Sequence, residues 1–157
     1  MDMGKAIKTC FRKYATFTGR ARRSEFWFFY LFNYIISIAL SLVGTIVTVG
    51  IIFAKVLPVA MAGAVTDEFI METGMTAPAT MLVIYAIVSL YSLAAFLPGL
   101  AVTWRRLHDI GKSGAHYFLG LIPLVGPIIL LVWLCRDSQP GDNRFGPNPK
   151  APQPWEY

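Results

Sequence analysis

Charged residues are scarce in this 157-residue chain: Asp, Glu, Lys and Arg make up 15% of it, against roughly 25% in an average soluble domain. Cysteine is almost absent, with only Cys10 and Cys135, so a disulfide scaffold is excluded. A disordered chain is excluded too, because such chains are poor in aromatic residues and this one contains 14% of them. Hydrophobic types reach 55% and the mean hydropathy is +0.54. These values predict a small polytopic membrane protein.

Three long segments carry no charged residue at all: 26–54, 78–104 and 115–135. A helix needs about 20 apolar residues to cross the hydrocarbon core of a bilayer, and each segment meets that length. We therefore predict an all-α membrane protein with three transmembrane helices, at about 26–54, 79–104 and 115–135. This transmembrane domain, 26–135, follows a basic N-terminal segment, 1–25, and precedes a Pro/Gly-rich tail, 136–157.

The third segment has two interpretations, because Pro123 and Pro127 disrupt helical hydrogen bonding within it. A kinked but complete span places the tail in the periplasm. A re-entrant segment returns the tail to the cytoplasm instead. Irregular backbone exposed to lipid is costly, so the complete span is the favoured prediction.

The distribution of basic residues predicts the orientation. Seven of the fourteen Lys and Arg residues lie in 1–25, and three more lie in the loop 105–114. The loop 55–77 holds one basic residue against three acidic ones. Since Lys and Arg beside a span stay in the cytoplasm, we predict a cytoplasmic N-terminus and a periplasmic C-terminus in a bacterial cytoplasmic (inner) membrane.

The N-terminal segment has the pattern of an amphipathic helix. Apolar residues recur at helical spacing, namely Ile7, Cys10, Phe11 and Tyr14. The opposite face carries Lys5, Lys8, Thr9, Arg12 and Lys13. This pattern is typical of a helix that lies in the membrane interface with its cations towards anionic head groups. The alternative is a signal that sets the orientation and does nothing afterwards.

A cluster of charge is expected where the first two spans meet the cytoplasm. We call this cluster the arginine collar: Arg20, Arg22, Arg23, Glu25, Arg105, Arg106, His108 and Asp109. Carboxylates at that depth are expected to recruit guanidinium groups, which places Glu25 and Asp109 among the arginines. The resulting excess of positive charge suits a lipid phosphate. The alternative is that the arginine collar only fixes the topology and holds two helices together.

No feature of the sequence points to catalysis. His108 beside Asp109 is the one pair that suggests acid–base chemistry, and no hydrolase, metalloprotease, P-loop or dinucleotide motif occurs. We therefore predict a non-enzymatic protein without catalytic residues, metal or cofactor, whose arginine collar binds anionic lipid or a partner helix. The alternative is a small oligomeric transporter or channel component. The expected partners are the lipid bilayer, anionic phospholipid head groups and copies of the chain, with no nucleic acid.

Three stretches in this order resemble the YhaH/YhaI-like family of small bacterial inner-membrane proteins. They are residues 17–27 (FTGRARRSEFW), 105–114 (RRLHDIGKSG) and 141–149 (GDNRFGPNP). The resemblance implies a multi-pass helical domain in the bacterial cytoplasmic membrane. It supplies no assigned activity, catalytic residue, ligand or cofactor. The chain departs from the family in a long outer loop, roughly 55–78, and in its Pro-rich end.

Overall fold

The computed structural model describes residues 1–151, except for the side chain of Ala77. This part of the chain is helical and contains no strand. Its elements are α1 (Met3–Arg12), α2 (Arg23–Met61), α3 (Asp67–Asp109), a 3₁₀ helix (Gly114–Leu121) and α4 (Val125–Cys135). The predicted helical fold is confirmed, and the segments 26–54 and 79–104 lie inside α2 and α3. The last six residues of the predicted tail, 152–157, lie outside the described residues.

The helices α2 and α3 are long and apolar enough to cross a membrane, judged by length and composition. They contain 39 and 43 residues. In their most apolar windows only 11% and 0% of residues are buried by the rest of the chain, so the protein itself does not cover them. The predicted loop 55–77 is mostly helical, because α2 continues to Met61 and α3 begins at Asp67.

The third predicted span is not one continuous helix in the structure. The 3₁₀ helix has 8 residues and α4 has 11, both shorter than the roughly 20 that a span needs. Between them the chain makes a γ-turn, in which the Val125 N–H donates to the Pro123 carbonyl at 2.7 Å. The central residue of this turn, Leu124, has a φ of 63°, which no helix accommodates.

The chain forms two compact units. The first consists of Met1–Asn33 together with the described residues from Ala94 onward, and the second is Tyr34–Leu93. In the second unit Gly44 of α2 faces Ile84 of α3, and a Cβ at position 44 would lie 2.5 Å from the Ile84 Cγ2. Glycine therefore allows the close approach there. The first unit has a buried apolar cluster formed by Cys10, Ala21, Phe26, Phe29 and Val102.

Local signals in the sequence set the helix ends of the first unit. The Asp2 carboxylate accepts hydrogen bonds from the backbone N–H groups of Gly4 and Lys5, at 2.7 and 3.2 Å, and so caps the start of α1. At the end of α3 the Lys112 N–H donates to the Leu107 carbonyl across Gly111, whose φ is 75°. This is a Schellman termination, and it reverses the chain directly after the charged residues of the helix.

The helix α1 occupies the predicted amphipathic segment, and the other helices cover part of its apolar face. The ring of Phe11 packs edge to face on Phe29, with 5.6 Å between centroids. The Tyr14 hydroxyl donates to the Ala94 carbonyl at 2.6 Å, and Cys10 is fully buried. Part of the apolar face therefore contacts α2 and α3, while Phe11 and Tyr14 remain partly exposed. The location of α1 in the membrane interface stays a prediction.

Candidate functional site

The arginine collar is built around one carboxylate at the end of α3. Asp109 Oδ1 lies 3.0 Å from Arg20 Nε, and Asp109 Oδ2 lies 2.6 Å from Arg106 Nη1. All three side chains are at most 1% exposed. Burial of an ion is costly unless it is paired and hydrogen-bonded, so this arrangement requires acceptors for the remaining guanidinium N–H groups as well.

The tail supplies those acceptors to Arg20 through its backbone. Arg20 Nη2 donates to the Gln139 carbonyl at 2.6 Å, and Nη1 donates to the Gly141 carbonyl at 2.7 Å. Longer contacts reach the Asp109 and Gly146 carbonyls, at 3.3 and 3.4 Å. Each nitrogen of this guanidinium therefore has a partner within the chain.

Arg106 is held in the same way by the end of α4. Its Nε and Nη2 donate to the Leu134 carbonyl at 3.2 and 3.1 Å, and Nη2 also donates to the Arg136 carbonyl. The Gln139 N–H in turn donates to the Asp109 carbonyl at 3.0 Å. The segment 110–139 thus leaves the arginine collar after Asp109 and comes back to it.

A second buried pair joins α2 to α3. Glu25 Oε1 lies 2.5 Å from Arg105 Nη1, and the Cys10 thiol of α1 lies 3.9 Å from the same oxygen. Burial raises the pKa of Cys10 to about 12, and the nearby Glu25 carboxylate acts in the same direction. Within the described part of the chain, Arg105 Nε and Nη2 are buried without a hydrogen-bond partner.

His108 contacts a backbone carbonyl near the start of the chain and an aromatic ring of the tail. Its Nδ1 lies 3.1 Å from the Gly19 carbonyl, and its ring stacks on Phe145 at 3.9 Å with 2° between the planes. The Arg144 guanidinium lies over the same Phe145 ring at 4.7 Å. The Asn143 side chain donates to the His108 carbonyl at 3.0 Å. These contacts dock the segment 143–145 on the end of α3.

The two remaining arginines lie at the outer edge. Arg22 donates to the Pro149 carbonyl at 2.5 Å and is half-buried. Arg23 pairs with Asp137 at 3.3 Å, and both side chains are largely exposed. Lys150 also binds Asp137, and that hydrogen bond lowers the pKa of the Asp137 carboxyl.

The structure brings all eight predicted residues of the arginine collar into the first unit. Sequence reasoning missed the acceptors, because it assigned the excess positive charge to an external phosphate. Backbone carbonyls of the tail and of α4 accept hydrogen bonds from Arg20 and Arg106, whereas binding of a phosphate stays a prediction. It also missed Cys10 as a neighbour of Glu25 and Phe145 as the partner of His108. The stretch 141–149, recognised as a motif, was the available signal for the docked tail.

The chemistry open to this site is limited. The described residues contain no group of three or more His, Cys, Asp or Glu side chains placed to hold a metal ion. The pair that suggested acid–base chemistry is occupied within the fold, since two guanidinium groups bind Asp109 and the ring of His108 stacks on Phe145. The arrangement is suited to holding helix ends and a tail together.

Comparison with known proteins agrees with the resemblance seen in the sequence. The chain is 37% identical over 139 residues to the inner membrane protein YhaH of Escherichia coli K12, covering 88% of this chain and 91% of that protein. It is 34% identical over 139 residues to the inner membrane protein YhaI of the same strain, covering 88% and 90%. No solved structure matches the chain. A family model described as "Protein of unknown function (DUF805)" matches residues 14–147, and the chain belongs to that family.

Proposed function

We propose that this chain is a non-enzymatic integral protein of the bacterial inner membrane that binds anionic phospholipid through a cationic surface at the cytoplasmic face. One observation carries the proposal. The buried guanidinium groups of the arginine collar are largely occupied by partners inside the chain, whereas α1 carries Lys5, Lys8 and Arg12 with no acidic partner among the described residues. The first set holds the fold together, and the second set is free for lipid.

The membrane part of the proposal rests on α2 and α3, which cross the bilayer as a pair. The names of the relatives YhaH and YhaI support an inner-membrane location. The segment 110–139 is re-entrant in this proposal, because it starts and ends at the arginine collar and its two helices are too short to span. The N-terminus and the tail then share the cytoplasmic side. That arrangement replaces the predicted periplasmic tail.

The charge distribution supports the same orientation. With the tail inside, thirteen of the fourteen Lys and Arg residues face the cytoplasm, and Lys55 alone lies outside. Cations held next to an anionic leaflet gain about 1 kcal/mol each from its surface potential. Lys55, the one basic residue on the periplasmic side, forms an ion pair with Glu72 at 2.7 Å.

The test is the lipid composition around the purified full-length chain. The protein is reconstituted in nanodiscs of mixed phosphatidylcholine and phosphatidylglycerol, and the lipids that stay bound after extraction are identified by native mass spectrometry. We expect phosphatidylglycerol to be enriched over its share of the mixture, with the enrichment falling as salt rises, because salt screens exposed charges. Bound lipids that mirror the mixture at low salt would refute the proposal.

A further inference from the structure

A cleft of about 680 Å³ lies between the basic face of α1 and the end of the described tail. This volume falls within the range of small-molecule sites in proteins. Its lining includes five cationic side chains and no acidic one: Lys5, Lys8, Arg12, Arg22 and Lys150. The hydroxyl-bearing residue Thr9 lines the cleft as well. Five cations around one cleft are a strong sign that an anion belongs there.

The three cations of α1 share one face of the helix. Lys5, Lys8 and Arg12 follow each other at spacings of three and four residues, which places neighbouring side chains 5–6 Å apart at Cβ. Like charges at this spacing destabilise a helix unless an anion lies between them. Of the other two cations, Lys150 pairs with Asp137, whereas Arg22 donates a hydrogen bond to the Pro149 carbonyl and keeps its charge. The cations without an acidic partner among the described residues are therefore Arg22 and the three on the α1 side of the cleft.

The position of α1 decides between a lipid head group and a soluble anion. Its apolar face is fixed on α2 at Phe29 and Phe32, within the first three turns of that helix. In the proposed topology those turns enter the membrane at about residue 26. The cleft, on the opposite face of α1, then lies at the level of the lipid phosphates.

We propose that this cleft binds the phosphate groups of an anionic glycerophospholipid, with preference for a head group that carries two phosphates, as in cardiolipin. The Lys5, Lys8 and Arg12 side chains pair with the phosphate oxygens, and Arg22 and Lys150 close the cleft from the tail side. The orientation and the lipid-facing role of Lys5, Lys8 and Arg12 rest on the proposed function; the cleft adds Arg22, Lys150 and the preference for two phosphates.

The experiment compares two variants that lose the same number of charges. Lys8→Gln/Arg12→Gln removes two of the cationic side chains that line the cleft. The control, Lys13→Gln/Lys112→Gln, removes two cationic side chains that do not line it. The full-length proteins are purified in neutral detergent and titrated with cardiolipin, phosphatidylglycerol and phosphatidylcholine by native mass spectrometry. Thermal unfolding shows that each variant is folded, and Lys8→Arg/Arg12→Lys restores the charge of the cleft with different side chains.

We expect cardiolipin to bind the cleft variant about 25-fold more weakly than wild type, at about fivefold for each cation removed. The control variant and the charge-restored variant are expected to bind like wild type. Equal losses in the cleft and control variants would overturn the cleft and leave the proposed function standing. A wild type without preference for either anionic lipid would overturn both. Pyrophosphate displacing cardiolipin at equal concentration would overturn the lipid as the ligand.

Discussion

At the scale of single residues, the main energetic cost in this fold is the burial of arginine side chains. A guanidinium group has five N–H donors and no acceptor, so each one taken out of water needs several oxygens around it. The chain has few acidic residues, nine against fourteen basic ones. Among the described residues only Glu25 and Asp109 pair with the buried arginines. Backbone carbonyls supply the rest to Arg20 and Arg106, because each residue carries one with two lone pairs, whereas Arg105 Nε and Nη2 stay buried without a partner among the described residues.

Asp109 is therefore expected to be the most sensitive residue of the arginine collar. In Asp109→Asn the Arg20 and Arg106 guanidinium groups lose their shared counter-charge while they stay buried. Removing one partner from a buried ion pair costs about 3–5 kcal/mol, so the variant should unfold at a clearly lower temperature. Thermal unfolding in detergent micelles measures the loss.

The matched control for that change is Asp137→Asn. Asp137 also pairs with an arginine, Arg23, but both side chains are largely exposed to solvent. Exposed pairs contribute little to stability, so this variant should unfold at nearly the wild-type temperature. Equal losses in the two variants would show that Asp109 does not lie in a buried network.

Cys10 gives a second test at the residue scale. Its thiol is buried beside Glu25 and its pKa is raised to about 12, so almost none of it is thiolate at neutral pH. Because the thiolate is the reactive form, we expect a maleimide to modify Cys10 at least about a thousandfold more slowly than an ordinary cysteine of pKa about 8.5. Cys135 is exposed and should react.

Mass spectrometry of the two single-cysteine proteins separates these sites. In Cys135→Ser only Cys10 remains, and at neutral pH it should be labelled only after the protein is unfolded. In Cys10→Ser the remaining Cys135 should be labelled in the folded state. Rapid labelling of Cys10 at pH 7 would contradict the docking of α1 on Glu25.

At the scale of elements, the 3₁₀ helix and α4 approach each other closely at Gly126. A Cβ at Gly126 would lie 1.8 Å from the Leu119 carbonyl oxygen, which belongs to the backbone and has no rotamer to move away. Gly126→Ala should therefore separate the two helices, and overpacking of this kind typically costs about 1–3 kcal/mol. A lower unfolding temperature and faster proteolysis within 110–139 are the expected results.

Gly50→Ala provides the control for this substitution. Gly50 lies inside α2, and a Cβ there meets no atom within 4 Å. Alanine is the better helix former by roughly 1 kcal/mol, so this variant should be as stable as wild type or slightly more stable. If Gly126→Ala were equally harmless, the contact between the 3₁₀ helix and α4 would be wrong.

The elements differ in how far the sequence reveals them. The apolar runs and the helical spacing in α1 were sufficient to predict a helical protein, because the hydrophobicity of the side chains and their spacing can be read directly from the sequence. The re-entrant interpretation of the third segment is the less favoured prediction, because irregular backbone exposed to lipid is costly. The positive φ at Leu124 could not be predicted, since this residue type gives no hint of such a conformation. The contacts that hold the tail were not predicted, because backbone carbonyls have no sequence signature.

At the scale of the whole molecule, the proposed re-entrant segment places the C-terminus on the same side of the membrane as the N-terminus. A complete third span would put the tail across the membrane from the N-terminus. Yet the Arg20 side chain donates to the Gln139 and Gly141 carbonyls, and Arg22 donates to the Pro149 carbonyl. In the proposed topology the tail, which supplies acceptors to arginines of the N-terminal segment, therefore shares its side of the bilayer.

Paired reporter fusions test this directly. Green fluorescent protein fluoresces when it stays in the cytoplasm and does not fluoresce when it is exported unfolded to the periplasm. Alkaline phosphatase is active only in the periplasm. After the last residue we expect fluorescence without phosphatase activity. After Gly63, in the turn between α2 and α3, we expect the reverse, which also shows that each reporter works in this protein. Phosphatase activity at the C-terminus would mean that 110–139 crosses the membrane, and the contacts of Arg20 and Arg22 with the tail would then be impossible in the cell.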